Sequence, residues 1–184
     1  MEDVRIAEVL RFWFEELRPE QYWTRDDALD RRIIADFGAL HAEAVSGALA
    51  GWMATPEGAL ALVIVLDQFP RNMFRGDPRS WASDSLALAH AKAAIDRGHD
   101  RALPAERRHF LYLPFEHSED LAMQERSLEL FGAMPDLSPE AKFAVERHHE
   151  IIARFGRFPH RNAVLGRVST PEEIAFLNEP HSSF

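Results

Sequence analysis

The chain has 184 residues, about one domain at roughly 150 residues per domain. Thirty acidic residues against 21 basic ones leave a formal charge of −9, which argues against a nucleic-acid binder or a binder of anionic membranes, since both need a net basic face. A composition 46% hydrophobic and 28% charged fills a core and excludes wholesale disorder, while the absence of cysteine removes disulfides, thiolate catalysis, structural zinc on sulfur and iron–sulfur ligation.

The opening residues up to Arg5 have neither a basic start nor an apolar leader stretch, and no run approaches the 18 or so apolar residues of a membrane span. A cytoplasmic globular protein is therefore expected. Ile6, Val9, Leu10, Trp13, Phe14 and Leu17 recur on one helical face, predicting a first helix that Arg18-Pro19 breaks. Leu29, Ile33, Phe37, Leu40, Ala44 and Ala48 predict a second, with Gly47 and Gly51 weakening its end. Thr55-Pro56-Glu57 opens a third: the hydroxyl accepts from an orphan amide, proline sits where its missing N–H costs nothing, and the carboxylate meets the positive end of the dipole. Leu60 to Leu66 has the β-branched content of a strand, but that start and its alanines favour a helix buried on all sides.

Leu66-Asp67-Gln68-Phe69-Pro70-Arg71-Asn72 is the first block that places charge where a plain bundle would place leucine. Asp67 shares the face of Leu60, Val63 and Ile64 near a helix C-terminus, where a carboxylate is unfavourable. A cation must compensate it, most simply Arg71 or Arg75. A structural Asp–Arg lock and a ligand-binding group of Asp67, Gln68, Arg71 and Asn72 are both compatible with this pattern.

Ser83-Asp84 is a weaker helix start, and Gly98 fits a helix end. The second block runs from His109 to Asp120. Pro114 predicts a kink or stop, and the break gathers polar groups beside apolar walls. Glu116 and His117 are candidate acid–base residues; Ser118, Glu119 and Asp120 are expected to cap the next helix and answer its dipole. Glu116, His117 and Glu119 lack a diagnostic metal-ligand spacing, so neither metal nor cofactor is expected.

Ser138-Pro139-Glu140 starts another helix, on whose apolar stripe of Ala144, Ile151, Ile152 and Phe155 His148 falls. Gly156 fits its end. From Arg154 to Arg167 there are four arginines and no acid, within a net-acidic chain. This third block, with Arg157, His160, Arg161 and Asn162, suits either a bound anion or docking onto the chain's own acids. Thr170-Pro171-Glu172-Glu173 has capping-box spacing, and Pro180 to Phe184 reads as a frayed tail. The sum is an all-α chain of about eight helices, without a convincing strand or internal repeat.

Leu66 to Asn72, Phe110 to Glu119 and Arg154 to Asn162, with the opening Val9-Leu10-Arg11-Phe12-Trp13-Phe14, resemble the bacterial domain-of-unknown-function family 924 over most of residues 6 to 178. The resemblance implies an all-helical, tetratricopeptide-like fold of antiparallel stacked pairs and no particular activity. Where that family has His-Arg-Asp, this chain has His148-His149-Glu150. Three functions remain open: a binding module in which Arg71, Arg157 and Arg161 hold an anionic small molecule or the carboxylate of a peptide or protein partner; a hydrolase or lyase in which His117, His148 or His160 acts beside Glu116 and Asp67; and a purely structural polar network. The first two expect the blocks to converge in one groove. Oligomeric state stays open.

Overall fold

The computed structural model describes residues 3–184, and among them every regular element is helical. Met1 and Glu2, part of the opening searched for a leader, lie outside the described residues. Only the helical class, not the tetratricopeptide-like detail, follows from these elements. Among the described residues no helix is long and apolar enough to cross a membrane. Contacts gather the chain into two compact units, Met1–Arg75 with Arg79–Pro114, and Gly76–Pro78 with Phe115–Phe184.

In the first unit, α1 spans Val4–Arg11, capped by Asp3, whose carboxylate accepts from the Arg5 N–H at 3.1 Å. The helix then widens into a π-type turn over Phe12–Glu16. One extra residue in that turn shifts the register, so Phe12 joins Trp13 in the core beside the expected Ile6, Val9, Leu10 and Leu17. Helix α2, Asp27–Val45, is capped by Asp26 and buries Leu29, Ile33, Phe37, Leu40 and Ala44. It stops short of Ala48, which is exposed, and Gly47 turns away at φ +82°.

Thr55 caps α3, Pro56–Val63, by accepting from the Gly58 N–H. Only glycine fits at 58, because a Cβ there would run into the Trp52 backbone carbonyl. The helix widens again over Ile64–Gln68 and continues as α4, Phe69–Met73. Leu60 to Leu66 is fully buried, as expected of a helix covered on all sides. Burying each large aliphatic side chain there contributes about 1.5–3 kcal/mol.

Pro70 lacks the N–H that would satisfy the Leu66 carbonyl, and the Ser83 hydroxyl, 17 residues on, donates to it at 2.6 Å. Ser83 therefore makes no side-chain cap for α5, Asp84–Asp96, contrary to the local pattern. Gly98, at φ +73°, follows that helix and leads into α6, His99–Ala102. Helix α7, Ala105–Glu116, does not stop at Pro114 but runs two residues past it.

In the second unit, α8 spans Leu121–Gly132 and is capped by Asp120. Ser118 does not cap it; its hydroxyl accepts from the Asp120 N–H instead. Helix α9, Pro139–Phe155, starts at the Ser138 cap and ends at Gly156, φ +67°. Helix α10, Pro171–Phe176, carries the full Thr170–Glu173 capping box. Helix α8 packs on α9, and Ile151, Ile152, Phe158 and Phe176 form a buried core with Phe155 against it. In the tail, Arg147 donates to the His181 carbonyl at 3.1 Å, and the buried Ser182 donates to the Leu177 carbonyl.

Candidate functional site

In the first unit, the wide turn after α3 places Asp67 in the core with no exposed surface. Gln68 donates to its Oδ2 at 2.5 Å. The Arg71 guanidinium lies 3.5 Å from its Oδ1 and donates to its backbone carbonyl. The same guanidinium forks onto both Asp84 oxygens at 3.0 and 3.1 Å. Burial opposes the Arg71 charge, yet the carboxylates of Asp67 and Asp84 outweigh it and raise the arginine above its ordinary value. One turn on, Arg75 forks onto Asp30 of α2 at 2.8 and 2.9 Å, and Asn72 donates to that carboxylate at 2.8 Å. Asp67 thus has the predicted cation in Arg71, and Arg75 serves Asp30 instead. Asp30, near the start of α2, gives no sign of this in sequence.

In the second unit, blocks two and three meet. Gln124 of α8 donates to the carbonyls of Glu116 and Ser118 at 2.6 and 2.7 Å, which fixes the chain around Glu116. His148, on the buried stripe of α9, has Nδ1 3.0 Å from Glu116 Oε1 and 2.8 Å from the Ala144 carbonyl. Both side chains are nearly inaccessible to solvent. The His117 ring lies 6.3 Å from that of His148, beyond direct pairing. His160, on a 3₁₀ turn over Pro159–Arg161, is half-buried, and its Nδ1 is buried without a hydrogen-bond partner. Burial first, then the charges of Arg161 and His148, push His160 down to about 3, so it is neutral at physiological pH.

Two acceptors flank His148 Nδ1, which places a proton on that nitrogen and leaves Nε2 as the ring nitrogen that can exchange one. The Phe184 ring stacks on this imidazole with centroids 3.8 Å apart. Nothing in the sequence near the chain's end hints at that contact.

The arginines of the third block turn to the chain's own acceptors. Arg157 forks onto Glu173 at 2.6 and 2.8 Å, holding that carboxyl down to about 2. Arg167 forks onto Glu119 at 2.7 and 2.9 Å, and Arg154 pairs with Glu172. Arg161 donates to the His117 carbonyl at 3.1 Å and lies over the Phe158 ring. Asn162, fully buried, donates to Ser169 and Glu173 and accepts from Arg167. Glu119, assigned from sequence to the dipole of α8, instead binds Arg167 and accepts from the Phe158 N–H at 2.8 Å. Among the described residues no three histidine or carboxylate side chains are grouped to hold a metal ion.

The model of a family described as bacterial protein of unknown function (DUF924) matches residues 9–181. A solved structure of a protein of unknown function from Agrobacterium tumefaciens is similar, with 41% sequence identity, a TM-score of 0.90, and coverage of 95% of this chain and 97% of that one. No curated protein matches.

Proposed function

The chain belongs to the DUF924 family of bacterial proteins, and we propose that it is a hydrolase or lyase in which His148 is the general base and Glu116 its positioning carboxylate. The observation that carries this reading is the 3.0 Å pair between Glu116 Oε1 and His148 Nδ1, which with the Ala144 carbonyl selects one tautomer of a buried imidazole. A ring held this way presents Nε2 as proton acceptor. The carboxylate then stabilises the imidazolium formed when Nε2 takes a proton from water or substrate, and the proton on Nδ1 stays in its hydrogen bond. His160, kept neutral, offers hydrogen bonding without competing charge.

The competing reading, an anion or partner carboxylate held by Arg71, Arg157 and Arg161, has less support. Arg71 and Arg157 already fork onto internal carboxylates, and displacing such a pair strands a partly buried acid.

The test is a panel of nitrophenyl esters, phosphate esters and β-elimination substrates, assayed with the wild-type chain, His148→Gln and Glu116→Gln after each is shown to fold by circular dichroism. At least one substrate is expected to turn over, with a rate about 10²–10⁴-fold lower in His148→Gln and an altered pH–rate profile in Glu116→Gln. Turnover retained in His148→Gln, or none by the wild-type chain on any substrate, overturns the assignment.

A further inference from the structure

Phe184 does not sit like a core residue. It is 55% exposed, yet its ring lies 3.8 Å from the His148 centroid at an interplanar angle of 24°, a parallel stack. The His160 ring meets it edge-on at 5.9 Å. Phe158 also meets His148 edge-on, at 5.5 Å, and the Arg161 guanidinium lies over Phe158 at 4.6 Å. One flat face and perpendicular edges select planar rings over aliphatic chains, because the π-quadrupole rewards those orientations and an aliphatic group cannot reproduce them.

The backbone that leads to Phe184 bends at His181. His181 takes φ +56°, the left-handed region that residues other than glycine rarely occupy. The bend is held by the Arg147 hydrogen bond to the His181 carbonyl and by the Phe143 ring edge-on to His181 at 5.0 Å. A strained turn that ends in a half-exposed ring is an arrangement that can open at small cost.

We propose that the slot over His148 is a binding subsite for a planar aromatic ring of the ligand, and that Phe184 occupies it in the free protein. The inference deepens the acid–base reading: a ring in this slot lies against the imidazole that accepts the proton, which makes aromatic compounds the substrate class. The unpartnered His160 Nδ1 beside the slot supplies a hydrogen bond for a polar substituent on that ring. Phe184 competes with the ligand, so removing its side chain frees the site.

The experiment is a titration of the wild-type chain and of Phe184→Ala with 4-methylphenol and, as the non-aromatic counterpart, 4-methylcyclohexanol, followed by NMR of the histidine ring signals. Phe184→Ala is expected to bind 4-methylphenol at least about tenfold more tightly than the wild-type chain, with ring-current shifts of the His148 signals, and to ignore the cyclohexanol. Phe184→Ala/His148→Gln should lose the binding. Equal affinity in the wild-type chain and Phe184→Ala, or equal binding of the two alcohols, overturns the proposal. If Phe184→Ala melts substantially below the wild-type chain, Phe184→Leu replaces it: the ring is still removed, and the same two results decide. Binding is read without turnover. A slot that binds while His148→Gln retains activity sinks the general-base reading alone; activity lost in His148→Gln with no Phe184-dependent binding sinks the subsite alone.

Discussion

Arg167 reaches back 48 residues to fork onto both oxygens of Glu119, and the Phe158 N–H donates to the same carboxylate. Burial raises the Glu119 carboxyl, but Arg167 and the Phe158 amide outweigh it and hold the group below the ordinary carboxylate range. The fork ties the segment before α8 to the loop after α9, so it braces the chain that carries His160. Both side chains are about a quarter exposed, which places the pair between an exposed and a buried one. Glu119→Ala is expected to cost about 2 kcal/mol. In urea denaturation, a Glu119→Ala/Arg167→Ala double-mutant cycle should give a coupling above about 1 kcal/mol; a few tenths would mark an ordinary surface pair.

The contrast between caps and forks shows what is legible in sequence. Thr55, Ser138 and Thr170 each bond within three residues of themselves, so a tetrapeptide contains both partners and the helix starts are readable. The arginines between 154 and 167 find their carboxylates at Glu119, Glu172 and Glu173, all outside the stretch that looks unpaired. Counting charge in a window therefore exaggerates the cationic patch, although docking onto the chain's own acids is one of the two readings it leaves open. The Glu116–His148 pair spans two blocks; sequence supplies the residue types but not the geometry. Phe184 is least legible, since its place depends on the left-handed turn at His181.

Ser83 misleads for the same reason. Its Ser-Asp pattern is that of a cap, but its hydroxyl goes to the Leu66 carbonyl, whose partner four residues on is Pro70, which has no N–H to give. Ser83→Ala should cost about 1–3 kcal/mol, the penalty of a buried unsatisfied carbonyl. The cost is expected to shrink in a Pro70→Ala background, where residue 70 regains an N–H. Chemical denaturation of the two single variants and the double variant reads this directly, and an unchanged Ser83→Ala cost would refute the compensation.

Two helical glycines should respond to alanine with opposite signs. Gly38, inside α2, has nothing within 4 Å of the position an added methyl would take, so Gly38→Ala is expected to stabilise by about 0.5–1 kcal/mol through helix propensity. Gly58 faces the Trp52 carbonyl, a backbone atom that cannot step aside cheaply. Gly58→Ala is expected to destabilise by about 1–3 kcal/mol as overpacking outweighs propensity. Thermal melts of both variants test the pair, and stabilisation at both sites would show that the 3₁₀ turn over Ala50–Ala54 yields.

His160 links the site to pH. Its pKa falls from an ordinary 6.5 to about 3 in the folded chain, chiefly through burial and then through Arg161 and His148. Between those values the unfolded chain binds a proton that the folded chain does not, so stability rises with pH across this window. The contribution is complete above pH 6.5 and is lost as pH falls toward 3. The group adds a slope of up to about 1.4 kcal/mol per pH unit. His160→Asn removes the titration, and its unfolding free energy, measured by urea denaturation from about pH 4 to 8, should be flatter than wild type below the ordinary histidine pKa and parallel to it above. Curves parallel over the whole range would mean that His160 titrates alike in both states, and that its imidazole is not the neutral hydrogen-bonding group assigned to it beside His148.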